Sequence, residues 1–501
     1  MSAEILEQHC GGICAGDAGV RRMKLWQIVA PDSCLESGQN LLGRELLEYA
    51  NGYVEQLLEH GARPCSQVIV LLTHDERGMA LYLAASRIGC ELVLPYNLSS
   101  MDQEAMHQLR KDFNDALVCV TDGYEELKGV VRLRWRKARH PEALPEPGLV
   151  VERFLLLFTS GSSGSPKSVS VSEAVVTARI EAVAARLGFH SAMRSLLCGL
   201  MSNTTGVIFG FGPLMCGGTV VIPASRNVAQ WPKVVERDRV THLMLRPASL
   251  EEFLRAAEFE GCSLDSVETF AYGSAPLAQT LRDRLSRITT GRLVQGYGLS
   301  ETYGPFIWTE EGCRDPDGYL IGTPDTTESV EIIHPAGMEQ GPGELVITSG
   351  LLMNGYLTAG APYPHLELPF RTGDIAFQDV SGNFHLVGRR SATVLTTNGH
   401  QIFPEQVERI AAEVCGPNQA LLVGLWEPEG SRAVLVFSPT VADDQIRSTA
   451  ICLMNSFSPE TLPDDVAVMT NLSSSENEKL RRVTPKKEEL SSRRPFGRVL
   501  L

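Results

Sequence analysis

The sequence predicts an α/β protein: a large N-terminal domain of layered α/β subdomains followed by a small α+β C-terminal domain. Short apolar runs alternate with amphipathic stretches between residues 41 and 277. This alternation is typical of parallel sheets that are covered by helices. Glycine-punctuated β signals dominate residues 320–387, and the pattern changes to a mixture of helix and strand signals after residue 388.

The first α/β layer is predicted between residues 41 and 121. Residues 41–60 repeat apolar side chains at helical spacing and stop at Gly61, which predicts a helix. A second helix is expected near residues 78–88. Uninterrupted apolar runs predict buried strands at residues 68–72, 91–95 and 117–121. The basic and then proline-rich residues 132–148 predict a surface connection.

The remaining elements follow the same reasoning. Residues 154–158 and 241–245 predict strands, residues 173–187 predict a helix, and a helix is expected from Leu277. Residues 195–222 are apolar and glycine-rich and end in a strand pattern. A barrel-like or antiparallel subdomain is predicted from the strand patterns at residues 329–333, 344–348, 373–378 and 384–387. The C-terminal unit is predicted to contain helices at residues 405–413 and 446–454 and strands at residues 420–425 and 433–437.

Composition narrows the class of protein. The chain has 501 residues, a net charge of −15 and 43% hydrophobic residues. An acidic balance argues against nucleic acid or an anionic membrane as a partner. No apolar run reaches the roughly 18 residues that span a bilayer, and residues 1–10 lack the basic start of a signal peptide. Twelve scattered cysteines fit a reducing compartment, so we expect a cytoplasmic protein.

The most informative segment directly follows the strand predicted at residues 154–158. It reads Thr159-Ser160-Gly161-Ser162-Ser163-Gly164-Ser165-Pro166-Lys167. Glycines let backbone N–H groups converge, hydroxyls add donors, and the lysine adds positive charge, so the segment predicts a phosphate-binding loop. It is not a Walker A loop, because Pro166 precedes the lysine where that motif requires glycine.

Three further motifs follow at intervals. They are Tyr272-Gly273-Ser274-Ala275-Pro276, then Gln295-Gly296-Tyr297-Gly298-Leu299-Ser300-Glu301, then Arg371-Thr372-Gly373-Asp374. A glycine turn allows close approach to a flat ring, and a carboxylate is a hard oxygen ligand for Mg²⁺. A second carboxylate can accept hydrogen bonds from two neighbouring hydroxyls. The stretch from Gly343-Glu344-Leu345 to Gly355-Tyr356 is interpreted as structural.

Together these motifs resemble, in sequence and in order, those of the adenylate-forming superfamily of acyl-CoA synthetases, adenylation enzymes and luciferases. The resemblance extends from Thr159 to Lys479. It implies that ATP and Mg²⁺ bind here, with the β- and γ-phosphates held by Thr159, Ser160, Gly161, Ser162, Ser163, Gly164 and Lys167. It further implies that adenine contacts Gly273, Ser274, Ala275, Tyr297 and Gly298. Ser300 would donate to the α-phosphate, Glu301 would bind Mg²⁺, Asp374 would bind ribose, and Arg389 would contact ribose or phosphate.

The C-terminal motifs carry the same resemblance. Gly388-Arg389-Arg390-Ser391 resembles the hinge that makes the small domain mobile, although the family usually has Asp or Lys where Ser391 stands. The predicted domains are therefore residues 1–388 and 389–501. By resemblance, Gly399 lines the passage for the second substrate. Asn477-Glu478-Lys479 resembles the segment of the mobile catalytic lysine, with Glu478 in place of the usual glycine.

The resemblance implies an ATP-dependent ligase that joins a carboxylic acid to AMP and releases pyrophosphate. Lys479, Glu301 and Lys167 are the expected catalytic residues. The acyl group would then pass to an external thiol of CoA or of a carrier protein. Two alternatives stay open: transfer to an amine, as in an amide synthetase, and a non-catalytic nucleotide- or acyl-binding homologue, which the departures at Ser391 and Glu478 favour.

The substrate is expected to be a small carboxylic acid without an amine, with an aryl or medium alkyl group. No acidic residue lies between residues 193 and 232 to pair with a substrate ammonium. Gly210 and Gly212 are expected to leave room for the acyl group. The predicted pocket residues are Asn203, Tyr272, Gly298 and Tyr303, with Phe306 and Trp308 as further aromatic walls.

Overall fold

The structure is a computed structural model of the 501-residue chain. It describes residues 23–38, 40–95, 103–113, 116–121, 127–148, 150–159, 167–275, 277, 279–309, 320–326, 328–334, 341–357, 366–398, 400–416, 419–427, 430–469 and 490–496. Among these residues, no helix has both the length and the apolar character needed to cross a membrane. The cytoplasmic location stays a prediction.

The secondary structure alternates helices and strands, as the sequence predicts. In chain order, the described helices α1–α11 are Leu25–Ile28, Gly43–Glu59, Glu76–Ile88, Gln103–Asp112, Glu173–Leu187, Thr204–Met215, Trp231–Arg237, Pro247–Glu260, Gln279–Ile288, Pro404–Cys415 and Asp443–Ser456. The described strands β1–β26 are Cys34–Glu36, Asn40–Leu42, Gln67–Leu71, Glu91–Leu94, Leu117–Val120, Val131–Arg132, Leu155–Thr159, Lys167–Val171, Arg194–Leu196, Thr219–Val221, His242–Leu245, Thr269–Gly273, Arg292–Leu299, Gly304–Trp308, Leu320–Pro324, Ser329–Ile333, Gly343–Thr348, Gly355–Leu357, Phe370–Gln378, Phe384–Arg389, Val394–Leu395, Gln401–Ile402, Ala420–Glu427, Gly430–Phe437, Asp465–Met469 and Leu490–Pro495.

A seven-stranded sheet holds the first predicted layer. Its order is β18-β8-β7-β4-β3-β5-β6, and the five strands from β7 to β6 in that order are parallel. Their apolar residues are buried on both faces, as expected for a parallel sheet covered by helices. Strand β8 returns antiparallel to β7, and Thr159 pairs with Lys167. The ends of the glycine-rich segment are therefore fixed on neighbouring strands.

A thirteen-stranded sheet forms the larger layer, in the order β16-β17-β19-β20-β15-β14-β13-β12-β11-β9-β10-β1-β2. Strands β13, β12, β11, β9, β10 and β1 are parallel neighbours, whereas β14, β15, β20, β19, β17 and β16 extend the sheet in antiparallel fashion. The α/β class is confirmed. Within the described residues, the β-rich region is an open antiparallel extension rather than a closed barrel.

Helix α6 lies within residues 195–222, where the sequence predicts only apolar, glycine-rich character and a final strand. The Asn203 side chain begins this helix by accepting a hydrogen bond from the Gly206 N–H at 3.1 Å. The glycines of α6 do not leave open space, contrary to the expectation. A Cβ at Gly212 would lie 2.8 Å from the Phe189 ring, and one at Gly210 would lie 3.4 Å from Met79. These glycines allow close helix packing instead.

A separate hydrophobic cluster forms the core of the C-terminal region. It contains apolar residues from Val394 to Phe496, most of which lie on helices α10 and α11, on the strand pair β21-β22 and on strands β23, β24 and β25 of the four-stranded sheet. The large cluster of the first sheet layers contains residues from Leu25 to Phe384. The domain boundary at residue 388 stays a prediction, and it falls in the interval between these two clusters.

Candidate active site

A buried carboxylate lies where strands β13, β19 and β20 come close together. Asp374 on β19 is 2% exposed and is the register partner of Arg389 on β20. The Arg389 Nε atom lies 2.7 Å from Asp374 Oδ1, and the Tyr297 hydroxyl donates to Asp374 Oδ2 at 2.5 Å. Burial raises the pKa of Asp374, while Arg389 and the Tyr297 hydrogen bond act against that rise. The arrangement is a buried acceptor held by one cation and one hydroxyl.

A second group joins the start of β8 to the segment after β13. The Tyr356 hydroxyl donates to Glu301 Oε1 at 2.6 Å, and the Lys167 Nζ atom lies 5.0 Å from the centre of the Tyr356 ring. Burial raises the pKa of Tyr356, and the neighbouring Glu301 carboxylate raises it further. The phenol therefore stays protonated and remains a donor to Glu301. The Met353 N–H also fixes this segment by donating to the Glu301 carbonyl at 2.7 Å.

The two groups belong to one electrostatic site. Burial alone would lower the pKa of Arg389, but Asp374, Tyr297 and Glu301 together raise it. Arg389 thus feels both carboxylates, while Lys167 adds a second cation beside Tyr356. Two cations and two carboxylates at one place suit a ligand that carries phosphates, a divalent cation and neighbouring hydroxyls.

The donor set also fits a Mg²⁺ ion. Glu301 is half-buried, and among the described residues Tyr356 is the hydrogen-bond donor to its carboxylate, through Oε1. A carboxylate oriented in this way by another side chain is a suitable hard ligand for Mg²⁺. Glu301 is therefore the described residue that would hold the ion.

The turn after β12 reaches the same edge of the large sheet. Gly273 pairs with Gly296 of β13, and a Cβ at Gly273 would lie 2.5 Å from the Gly296 carbonyl oxygen. Only glycine fits at that distance. Ser274 follows with a φ of 70°, a left-handed conformation that costs an L-residue about 1–2 kcal/mol. Ser274 and Ala275 are exposed at the carboxyl end of the parallel strands, where open α/β sheets bind ligands.

A small, almost entirely apolar cavity lies beside Ala271 and Tyr272, which precede this turn on β12. Tyr272 and Trp308, which the sequence analysis named as walls, both line it. The Tyr272 hydroxyl donates to Gln295 Oε1 at 2.9 Å, so its polar end is satisfied away from the apolar wall. The complete lining consists of Val183, Leu187, Thr204, Thr205, Ile208, Phe209, Met244, Ala271, Tyr272, Gly296, Pro305 and Trp308.

Several predicted pocket residues do not line this cavity. Asn203 caps helix α6, Tyr303 and Phe306 are fully buried, and a Cβ at Gly298 would lie 2.1 Å from the Gly304 carbonyl oxygen. The lining residues of helix α6 were missed because that helix was not recognised; its Asn203 cap was the available signal. Tyr356 was also missed, because its Gly-Tyr motif was interpreted as structural.

A buried ion pair supports the segment that carries Glu301. Arg179 on α5 is fully buried and donates from Nε to the Thr302 carbonyl at 3.0 Å. The same guanidinium donates to the Pro305 carbonyl at 3.3 Å and to Glu328 Oε1 at 2.8 Å. Because the fork of Arg179 holds the Thr302 carbonyl of the turn after β13 and the Pro305 carbonyl of β14, it positions the segment that begins at Glu301.

Several predicted residues lie outside the described residues. They are Ser160, Gly161, Ser162, Ser163, Gly164, Gly399 and Lys479. Thr159 is described as the last residue of β7, and Ser300 lies in the turn after β13, where its carbonyl accepts a hydrogen bond from the Tyr303 N–H at 3.1 Å. The roles assigned to these residues stay predictions.

Comparison with known proteins identifies the family. Residues 27–357 match the AMP-binding enzyme family, which is more than half of the chain. The protein therefore belongs to the AMP-binding enzymes and is an AMP-forming ligase of the adenylate-forming superfamily.

Its relatives include both CoA ligases and an amide synthetase. The chain is 26% identical to a 4-chlorobenzoate–CoA ligase of Arthrobacter sp, covering 82% of this chain and 84% of the relative. It is 26% identical to a feruloyl-CoA synthase of Amycolatopsis sp, covering 79% and 82%. The anthranilate CoA ligase AuaEII in complex with anthranoyl-AMP superposes with a TM-score of 0.77 at 16% identity, covering 92% and 96%. The amide bond synthetase McbA of Marinactinospora thermotolerans also has a TM-score of 0.77, at 22% identity, covering 91% and 97%.

Proposed function

We propose that this protein activates a small carboxylic acid as an acyl-adenylate and then transfers the acyl group to the thiol of CoA or of a carrier protein. The observation that carries the proposal is the convergence of Lys167, Glu301, Asp374 and Arg389 beside an almost entirely apolar cavity. The two parts are adjacent along β13, because Gly296 lines the cavity and the next residue, Tyr297, donates to Asp374.

Adenylate formation joins a carboxylate oxygen to the α-phosphorus of ATP and breaks the bond to pyrophosphate. Both reactants are anions, so the site must supply positive charge and alignment. Lys167 and the glycine-rich segment hold the β- and γ-phosphates, and Asp374 accepts from the ribose hydroxyls. Arg389 offers donors to the ribose or the phosphate, and the Tyr297 ring offers a face for adenine. Ser300 donates to the α-phosphate.

Glu301 would hold the Mg²⁺ ion that accompanies ATP, with Tyr356 fixing the carboxylate. When bound, this ion withdraws negative charge from the phosphates and favours departure of pyrophosphate. A fold relative, O-succinylbenzoate CoA synthetase (MenE) of Bacillus subtilis, has been solved with ATP and a magnesium ion, which supports assigning both to this chain. Lys479 would neutralise the point where the acyl carboxylate meets the α-phosphate.

The second step requires that Lys479 leaves and the acceptor enters. We assign this exchange to rotation of residues 389–501 about a hinge at Arg389 to Ser391. The rotation would bring the Gly399 segment to the site, where a thiolate attacks the acyl carbon and AMP leaves. The buried residues of the large cluster end at Phe384, and those of the C-terminal cluster begin at Val394. This gap between the two clusters supports a hinge in that position.

The acid is inferred to have an aryl or medium alkyl group and no ammonium. Among the described residues that line the cavity there is no Asp, Glu, Lys or Arg, and the residues with a hydroxyl are Thr204, Thr205 and Tyr272. An ammonium placed there would lose its hydration without gaining a carboxylate partner. Two relatives are named for 4-chlorobenzoate and for the feruloyl group, and both of these acids contain an aromatic ring. Their names support an aryl acid as the substrate.

Transfer to an amine is the second candidate, favoured by the likeness to the amide bond synthetase McbA. The departures at Ser391 and Glu478 favour a non-catalytic homologue, but the likeness to CoA ligases argues against it. Incubation of the protein with ATP, hydroxylamine and a panel of carboxylic acids tests for adenylate formation, because hydroxylamine converts an acyl-adenylate into a hydroxamate. Mass detection of products with CoA, carrier protein or amines then identifies the acceptor. Hydroxamate from aryl or alkyl acids supports the proposal, and activity with amino acids alone would overturn the acid class.

A further inference from the structure

Two histidines and one glutamate come together at the end of the large sheet opposite the candidate active site. His242 begins β11, Glu268 precedes β12, and His190 lies in the turn after α5. Their ligand atoms all lie within 4.8 Å of one another, and His190 Nε2 is 2.9 Å from Glu268 Oε2. Strand β12 runs from this edge to the Gly273 turn, so about 13–17 Å of strand separate the cluster from the nucleotide side.

Thr241 can support the His242 tautomer that leaves the Nε2 lone pair for a metal, in competition with the hydrogen bond between His242 and the Leu187 backbone. The Thr241 hydroxyl accepts from the Arg194 N–H at 2.9 Å and has the Arg194 carbonyl as an acceptor at 3.3 Å. If the Thr241 hydroxyl donates its proton to the Arg194 carbonyl, its oxygen can accept a hydrogen bond from His242 Nδ1, which lies 2.8 Å away. Nδ1 then carries the proton and Nε2 keeps its lone pair. This is the arrangement in which an outer hydrogen bond orients a metal-binding histidine.

The exposure of the three residues also suits a metal ion. The side chains of His190 and Glu268 are 42% and 54% exposed, whereas His242 is 1% exposed. One ligand is thus fixed in the core, and two face solvent, where an ion can enter.

We propose that His190, His242 and Glu268 bind one Zn²⁺ ion through two imidazole nitrogens and one carboxylate oxygen, with water as the fourth ligand. Two nitrogens and one oxygen suit Zn²⁺, whereas Mg²⁺ prefers an all-oxygen site. The ion would tie the turn after α5 to the starts of β11 and β12. This site is separate from the proposed function and does not depend on it.

The position of the site also links it to the acyl cavity. The Phe189 ring contacts the His242 ring with centroids 5.4 Å apart and the Phe209 ring with centroids 5.6 Å apart. Phe209 and Leu187 both line the cavity. An ion that fixes His190 and His242 would therefore stabilise the back wall of that cavity.

The test uses the full-length protein, freed of metals with a chelator and without nucleotide. Titration with Co²⁺ is expected to show one equivalent with d–d absorption, which Zn²⁺ displaces. Saturating Zn²⁺ should raise the Tm by about 2–4 °C. His190→Ala and Glu268→Gln change exposed side chains, so they should keep the fold, checked by circular dichroism, and lower the affinity at least tenfold. Thr241→Val should lower the affinity about 10–100-fold, and Thr241→Ser, which keeps the hydroxyl, should restore it.

Matched controls separate this site from adventitious binding. His140→Ala alters an exposed histidine that lies 3.6 Å from Glu142 and should leave the affinity unchanged. The exposed thiols of Cys65 and Cys452 are removed in a Cys65→Ser, Cys452→Ser background, which should also bind as before. The proposal is overturned by a thiolate charge-transfer band that disappears in this background. It is equally overturned if no Co²⁺ binds, or if the affinity is unchanged in both ligand variants.

Discussion

Replacing Arg179 should unfold the segment around Glu301 before any other part of the site. Arg179 is fully buried and pairs with Glu328, whose side chain is 1% exposed. Arg179→Met leaves this carboxylate buried without its cation and removes the donors to the Thr302 and Pro305 carbonyls. Breaking one partner of a buried ion pair costs about 3–5 kcal/mol, so we expect a loss of that size in the free energy of unfolding.

The double variant Arg179→Met, Glu328→Met isolates the cause. Replacing both members of a buried pair by apolar side chains of similar volume is often neutral. We therefore expect the double variant to recover most of the lost free energy. Arg179→Lys should fall between the two, because it keeps the charge but loses the planar fork that serves several acceptors at once.

Urea unfolding followed by tryptophan fluorescence measures these differences. Trp308 is 2% exposed and lies in β14, the strand that also contains Pro305, so its emission reports on this region. Acid-dependent pyrophosphate exchange by Arg179→Lys should fall as well, since the turn that carries Glu301 loosens. The reasoning is refuted if Arg179→Met loses less than about 1 kcal/mol, or if the double variant is no more stable than the single one.

Three further predictions concern the site and the pH dependence of the fold. Asp374→Asn should lower kcat/KM for ATP about 10²–10³-fold, because a neutral amide replaces the anion that Arg389 and Tyr297 hold; an unchanged value in steady-state exchange assays would remove Asp374 from nucleotide binding. Tyr356→Phe should raise the Mg²⁺ concentration for half-maximal exchange about 10–100-fold, because Glu301 loses its 2.6 Å donor, and an unaltered Mg²⁺ titration would contradict this. Burial, reinforced by Arg226, lowers the pKa of His74 from 6.5 to about 4 although Asp75 acts against it. As the pH falls, His74 is protonated in the unfolded chain at a higher pH than in the folded protein. The free energy of unfolding therefore decreases as the pH falls from 6.5 to about 4. His74→Gln should flatten that part of the urea midpoint profile, and a profile as steep as wild type would count against it.

Much of the fold could be predicted because its strands are continuous apolar runs. The strand at residues 68–72 and the helix at residues 173–187 correspond to β3 and α5 within a residue or two. Helix α6 was missed because its glycines and the internal Pro213 disguise the helical period. Its stability depends on packing against Phe189 and on the Asn203 cap rather than on helix propensity.

The nucleotide side of the site was more predictable than the acyl side. Tyr297, Asp374 and Arg389 each sit in a recognisable motif, and the structure brings all three into contact. The cavity lining comes from the packing of helices α5 and α6 against β11 to β14, which no local pattern encodes. The Arg179–Glu328 pair joins residues 149 positions apart, so its existence depends entirely on tertiary structure.

Acid-dependent exchange of labelled pyrophosphate into ATP tests the central claim most directly. The wild-type protein should catalyse exchange with at least one aryl or alkyl acid, and Lys479→Ala should lower the rate at least about 100-fold. Lys487→Ala, a change in a neighbouring lysine, serves as the matched control and should retain exchange. Release of ADP and phosphate without acid-dependent exchange, or full exchange by Lys479→Ala, would contradict the account.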